Sequence, residues 1–254
     1  MQSGWEHEAQ TTSRVYLPKG PEQVVEQAKL AVQRAWQDGM RRQSLELLLP
    51  LIGATDLDDW PGGVRQQAKA AMPMVESLLR ELKQAPDLQG PLRGEVIDQG
   101  DAVSAWTGDN LAAVLFPTAE TLRQVREIAE ARSQGLVLLV NAQWQGGQAI
   151  SDFGVGPWRR RTEAFLGSFT ETYSLRQFRI FGDNVRLLKA YPNDWQVWLA
   201  REDGEPECIS TQATKPTYRE LETLLRATEG SNSGLTWVQR LQSEFAFNKK
   251  ALDR

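Results

Sequence analysis

Apolar and polar positions follow two rhythms along this chain. From Val24 onward, Val24, Val25, Ala28, Ala31, Val32, Ala35 and Trp36 recur every three or four residues, the period of one helix face. Gly20 stands where an N-cap is needed, Pro21 at the first helical position and Glu22 in the first turn; Gly39 ends the pattern. Aliphatic residues then predict a strand over about Ser44–Leu51. Helical spacing returns from about Val64 to Lys83, with Val64, Ala68, Met72, Val75, Leu79 and Leu82 on one face. Pro73 lies inside it and predicts a kink or a split into two shorter helices. "PDLQGPLRG" from Pro86 reads as a loop and "EVIDQGDAV" as an edge strand. "AAVLF" (Ala112–Phe116) reads as a buried strand. Thr118 is expected to cap a helix through Leu122, Val125, Ile128 and Ala129, and "LVLLV" (Leu136–Val140) is a strand apolar on both faces.

Strands without a polar face, alternating with helices, indicate a parallel sheet covered on both sides. After "QWQGGQ" the rhythm changes. A helix over Pro157–Leu166 precedes strands at Phe169–Leu175, Phe178–Phe181, Val185–Tyr191 and Trp195–Arg201. Turn signals at "GDN", "PND" and "EDG" join them, and such short connections make antiparallel neighbours. Helices at about Thr217–Ala227 and Leu235–Phe247 close the chain. The expected fold class is α/β: a mostly parallel, Rossmann-like sheet flanked by helices, extended by a C-terminal antiparallel β-meander and two closing helices. Residues 1–14 are polar and read as a disordered tail.

Composition narrows the chemistry. The net charge is −4 and the pI about 5.3, whereas non-specific nucleic-acid binding needs a basic face, so nucleic acid is not an expected partner. Cys208 and His7 are single. An internal disulfide is excluded, a structural zinc is disfavoured, and acid–base chemistry would fall to carboxylates, Lys or Tyr. No apolar run approaches the ~18 residues of a membrane span, which leaves at most peripheral membrane contact. The opening "MQSGWEHEAQTTSR" lacks an apolar h-region and carries Glu6 and Glu8, unlike a signal or transit peptide. Neither G-x-x-x-x-G-K-[ST] nor G-x-G-x-x-G after a strand occurs, and "GVGPW" at Gly154 has only the first two glycines. "DFG" at Asp152 lacks the H-R-D partner of a kinase, and no G-x-S-x-G elbow is present. No cofactor is expected.

Two polar loops remain as candidates for function. In parallel α/β sheets, ligands bind beyond the carboxyl ends of the strands. Thr55, Asp56, Asp58 and Asp59 follow the first strand there, and Asn141 and Gln143 follow the Leu136 strand. Carboxylates and amides suit a divalent cation or sugar hydroxyls. The same aspartates also suit a helix cap near Pro61, with Thr55 closing a turn. Arg159, Arg160 and Arg161 fall in the first turn of a helix, where the dipole disfavours cations. Three together point to a facing anion, either a phosphate-bearing ligand or a protein carboxylate such as Asp152 or Glu163. Trp60, Trp144 and Trp158 each border one of these loops and suit partner contacts.

The blocks "LPLIGATDLDDWPGGVRQQAKAAMPMVESLLRELK", "GDNLAAVLFPTAETL", "VNAQWQ", "DFGVGPWRRRTEAFLGSF" and "YPNDWQVWL" together resemble DUF1995, a domain-of-unknown-function family of plastid-bearing organisms. The resemblance runs from Tyr16 to about Leu225, with Ala142 standing where the family pattern has proline. It implies a single DUF1995-like domain over residues 15–254, and a chloroplast protein of the stroma or peripheral thylakoid whose transit peptide is missing from this chain. Relatives include low-photosystem-II-accumulation factors and proteins with the domain beside an adenylate kinase. The family supplies no catalytic residues to transfer. Two readings follow. The first is a non-catalytic factor that binds a partner protein, such as a photosystem subunit or assembly factor, in photosystem biogenesis. The alternative is a module for a small phosphate- or Mg-bearing metabolite, or an enzyme of unknown reaction, using the Asp56–Asp59 loop and the Arg159–Arg161 turn.

Overall fold

A computed structural model describes residues 16–49, 64–144, 157–200, 205–228 and 231. Helix α1 (Pro21–Gln37) leads into strand β1 (Arg42–Glu46) and helix α2 (Val64–Leu82). A 3-10 turn (Pro86–Leu88) precedes β2 (Arg93–Asp98), β3 (Val103–Thr107) and β4 (Leu111–Leu115). Helix α3 (Leu122–Glu130), β5 (Leu136–Val140) and α4 (Pro157–Leu166) follow. The chain then runs through β6 (Thr170–Ile180), β7 (Asp183–Ala190), β8 (Trp195–Ala200), β9 (Glu207–Gln212) and α5 (Tyr218–Ala227).

All nine strands form one sheet in the order β2-β3-β4-β5-β1-β6-β7-β8-β9. The three segments expected to share a sheet do so. Leu45 pairs with Val140 and Leu115 with the same residue, both in parallel. Parallel pairing also joins β1 to β6. The expected mostly parallel sheet needs correction, however: three pairings are parallel and five are antiparallel. The parallel set is confined to the centre, because short connections permit only antiparallel neighbours. One of these lies within the segment read as a single edge strand. There Asp98 Oδ1 accepts from the backbone N–H groups of Gly100 at 2.7 Å and Asp101 at 3.0 Å, closing a turn between β2 and β3.

Other boundaries also move. β1 begins at Arg42 and ends at Glu46, not over Ser44–Leu51. The segments read as two strands at Phe169 and Phe178 are one continuous β6, and β9, a polar edge strand, had no apolar alternation to announce it. Pro73 lies within α2 without dividing it. The buried face of α2 is carried by Ala71, Met74, Val75, Leu78, Leu79 and Leu82, while Val64 is exposed. Thr121, not Thr118, stands at the N-cap of α3. Its hydroxyl accepts from Thr118 N at 2.9 Å and closes the turn before the helix. The expectations for the ends of α1 and for α4 hold. So does the start of α5, where Thr217 and Glu220 form a capping box. The residue 1–14 tail and the Leu235–Phe247 helix fall outside the described residues.

Helices cover both faces. On one, α1 and α2 pack on Leu45, Leu136, Leu138 and Val140, continuing to Tyr173 and Leu188 of the meander. On the other, Val125 of α3 and Phe165 of α4 pack against Val114, Val137 and Leu139. Leu221 and Leu225 of α5 pack on that same face of the meander, over Val185, Leu187 and Val197.

Candidate functional site at the carboxyl edge of the parallel strands

Strands β4, β5, β1 and β6 all point to one edge of the sheet. The connection from β5 to β6 steps over β1, so β1 lies where the chain changes direction across the sheet. Such a point is where open α/β sheets present ligand-binding loops.

Asn141 sits immediately beyond β5 with a positive φ of 50°. Its Oδ1 accepts from the backbone N–H of Leu47 at 2.9 Å and its Nδ2 donates to the Leu47 carbonyl at 2.9 Å. The side chain therefore acts as one more strand residue and prolongs the pairing of β5 with β1. The amide expected to meet a ligand is engaged in holding the edge. Gln143 is exposed. Its N–H donates to the Pro117 carbonyl at 2.9 Å, and its Nε2 donates to the Asn141 carbonyl at 2.9 Å. Trp144 is partly buried and packs against the α3–α4 core.

Arg159, Arg160 and Arg161 are exposed on the first turn of α4. Arg159 Nε donates to Glu163 Oε1 at 2.8 Å, so one of the two carboxylates expected to face the turn does so. Two further arginines face the same helix. Arg42 and Arg126 place their guanidinium carbons 5.4 Å and 4.9 Å from the centre of the Phe165 ring, within cation–π range. Arg42 also donates to Ser168 Oγ at 3.0 Å. Thr55, Asp56, Asp58, Asp59, Trp60 and Asp152 fall outside the described residues, as does the Trp158 side chain.

The structure adds a group that sequence reading passed over. On the face shared with α4, Glu46 of β1 pairs with Arg176 of β6, and Ser174 Oγ donates to Glu46 Oε2 at 3.3 Å. Lys189 stands opposite Ser174 in β7. The Glu46 and Arg176 side chains are 27% and 29% exposed, so a charged pair reaches solvent from the middle strands of the sheet. A signal existed: Arg42, Ser44 and Glu46 alternate with Gln43, Leu45 and Leu47, a two-residue period that marks one polar face. The run "LELLLPL" hid it. Among the described residues, no group of three or more His, Cys, Asp or Glu side chains is placed to hold a metal.

Chemically, the edge offers guanidinium donors at the positive end of α4, beside a charge-paired polar lane. Arginine forks match carboxylates and phosphates, so the surface suits an anionic group of a partner or ligand. No described helix is long and apolar enough to cross a membrane. Comparison with curated proteins and with solved structures gave no match. Residues 18–223 match the family model described as Domain of unknown function (DUF1995), and the chain belongs to that family.

Proposed function

We propose that this protein is a non-catalytic binding factor that docks the carboxyl edge of its Rossmann-like parallel core on an acidic surface of a partner protein. We take that partner to be one of photosystem biogenesis, in the chloroplast stroma or at the thylakoid periphery, the setting that the family resemblance implies. The observation that carries the reading is the exposed Arg159–Arg161 turn at the N-terminus of α4. Cations there oppose the helix dipole, and a surface that retains them is suited to meeting an anion. Arginine is also enriched among the residues that dominate interface energies. Trp144, partly buried beside the same helix core, supplies an aromatic body at that edge.

A second reading rests on the Glu46–Ser174–Arg176 lane. Charged and hydroxyl groups on the middle strands of a sheet suit a small polar ligand, such as a phosphate- or Mg-bearing metabolite, better than a flat protein surface. One comparison separates the two. The tagged parent and Arg160→Glu are used to capture partners from chloroplast extract at low and high salt, and small molecules released from the same samples are analysed. The partner-protein reading expects a protein captured by the parent and lost both with Arg160→Glu and at high salt, while both proteins melt at the same temperature. Capture of the same proteins by both forms overturns it. A phosphate-bearing metabolite that co-purifies and raises the melting temperature selects the second reading.

A further inference from the structure

The segment that leads into α1 lies beside the meander. The Pro18 carbonyl accepts from Arg186 of β7 at 3.4 Å, and Lys19 Nζ stands 3.2 Å from a carboxylate oxygen of Glu205. Between them is a recess of about 260 Å³. Leu17, Pro18, Ala200 and Pro206 give it apolar walls, and Arg186 and Lys19 supply its charged groups. Alternation along β7 fixes its face. Val185 and Leu187 pack under α5, so Arg186 between them belongs to the other face, with Leu188 of the core beneath α1 and α2. The recess therefore lies on the opposite side of the sheet from α4, apart from the edge and the polar lane described above.

We propose that this recess binds a small organic anion, a carboxylate or phosphate head on a short apolar body, with Arg186 as the group that holds the head. The state of Arg186 is the first support. Its side chain is partly buried, and burial lowers its pKa from the usual arginine value. A cation taken out of water is costly unless an opposite charge compensates it. Among the described residues none does. Nε donates to Gln177 Oε1 at 3.2 Å and a terminal nitrogen to the Pro18 carbonyl, both neutral acceptors. The residue directly across in β8 is Trp198, which carries no charge. A guanidinium has five N–H donors, so most of this fork is left for a carboxylate or phosphate.

Lys19 adds a second cation. It pairs with Glu205 through side chains that are 69% and 80% exposed, a contact weak enough in water to be exchanged for an incoming anion. The walls define the rest of the ligand. Bare phosphate would leave the four apolar residues wet, whereas a short hydrocarbon body would cover them. The recess is smaller than the roughly 300–1,000 Å³ of sites for drug-sized molecules, which keeps that body short.

The test is a calorimetric titration of the full chain with hexanoate, butyl phosphate, hexanol and inorganic phosphate. At least one of the two amphipathic acids should bind at least about tenfold more tightly than hexanol and inorganic phosphate, and the tighter acid names the head group. Arg186→Gln should weaken that binding by at least about tenfold. Its melting temperature should be unchanged or raised, because a partly buried cation without a counter-charge is removed. Ala200→Leu fills the recess, leaves both cations in place and should weaken the same binding. Failure of both acids to bind at millimolar concentration overturns the proposal. Hexanol binding as tightly as the acids overturns it by making the recess an uncharged apolar slot, and inorganic phosphate binding as tightly as butyl phosphate overturns the apolar body. An affinity that survives Arg186→Gln or Ala200→Leu places the anion elsewhere and overturns the site.

Discussion

Asn141 shows at the residue scale how a polar side chain at a strand end can be misread. Its position beyond a buried strand suggested a ligand contact, yet both amide groups are used on the backbone of Leu47. Sequence shows that a polar residue stands there. It does not show which backbone group lies opposite, because that depends on the β1–β5 register. The positive φ gives a second reason for this residue type, since asparagine tolerates the left-handed region better than residues branched or bulky at Cβ. Asn141→Ala should therefore lose two hydrogen bonds and add backbone strain, costing about 2–4 kcal/mol. Asn141→Gly should lose the same bonds without the strain and be milder by about 1 kcal/mol. Urea denaturation of the three proteins measures both differences. If Ala and Gly prove equally costly, the left-handed conformation is not what asparagine supplies here.

At the scale of elements, α1 is seated on the sheet by polar contacts as well as apolar ones. Tyr173 of β6 donates its hydroxyl to Gln27 Oε1 at 3.3 Å, and Gln27 Nε2 donates to the Tyr16 carbonyl at 2.7 Å. Gln43 Nε2 donates to the Val32 carbonyl at 3.2 Å, and Thr172 donates to Gln43 Oε1 at 3.0 Å. The apolar face of α1 was legible in its spacing. This network was not, because Gln27 and Gln43 look like surface residues until the helix is laid on the strand. The central strand fared similarly: its aliphatic neighbours pulled the expected boundary toward Leu51, whereas ladder pairing ends at Glu46. Burial, reinforced by the nearby Tyr16, pushes the Tyr173 phenol far above its usual value. A raised phenol pKa means that the folded state holds its proton more tightly than the unfolded state. The stabilisation is full below the unfolded value of about 10 and is lost as pH rises above it. Tyr173→Phe should cost about 1 kcal/mol at neutral pH, where Gln27 loses a partner. Between pH 8 and 11 the parent should lose about 1.4 kcal/mol more than the variant, about 1 kcal/mol of it above pH 10. Unfolding free energies at pH 8, 10 and 11 decide this, and parallel losses in both proteins would count against titration of a buried Tyr173.

Across the whole molecule, the alternation of apolar strands and helices made the central parallel strands legible, and turn residues did the same for most of the meander. The edge strand β2 was legible, but the turn at Asp98 and the short β3 beyond it were not, and β9 is polar and carries little of the apolar alternation that announces a strand. The sheet nonetheless makes one body of the two halves. β1 is bonded to β5 on one side and to β6 on the other, and one apolar cluster runs from Leu111 and Leu138 through Leu45 to Tyr173 and Leu188. Disrupting either half should therefore unsettle the other. Leu138 is fully buried in β5, and Leu199 is 1% exposed in β8, beneath α5. Truncation to Ala at either site should cost about 2–5 kcal/mol. If the halves unfold together, each variant lowers the urea midpoint of a single transition with its slope unchanged, and tryptophan fluorescence and far-UV circular dichroism trace the same curve. Independent halves would behave differently: Leu199→Ala would split the curve, moving the meander's transition to lower urea and leaving that of the parallel centre in place. That outcome would mean that the β1–β6 ladder joins two separately stable units.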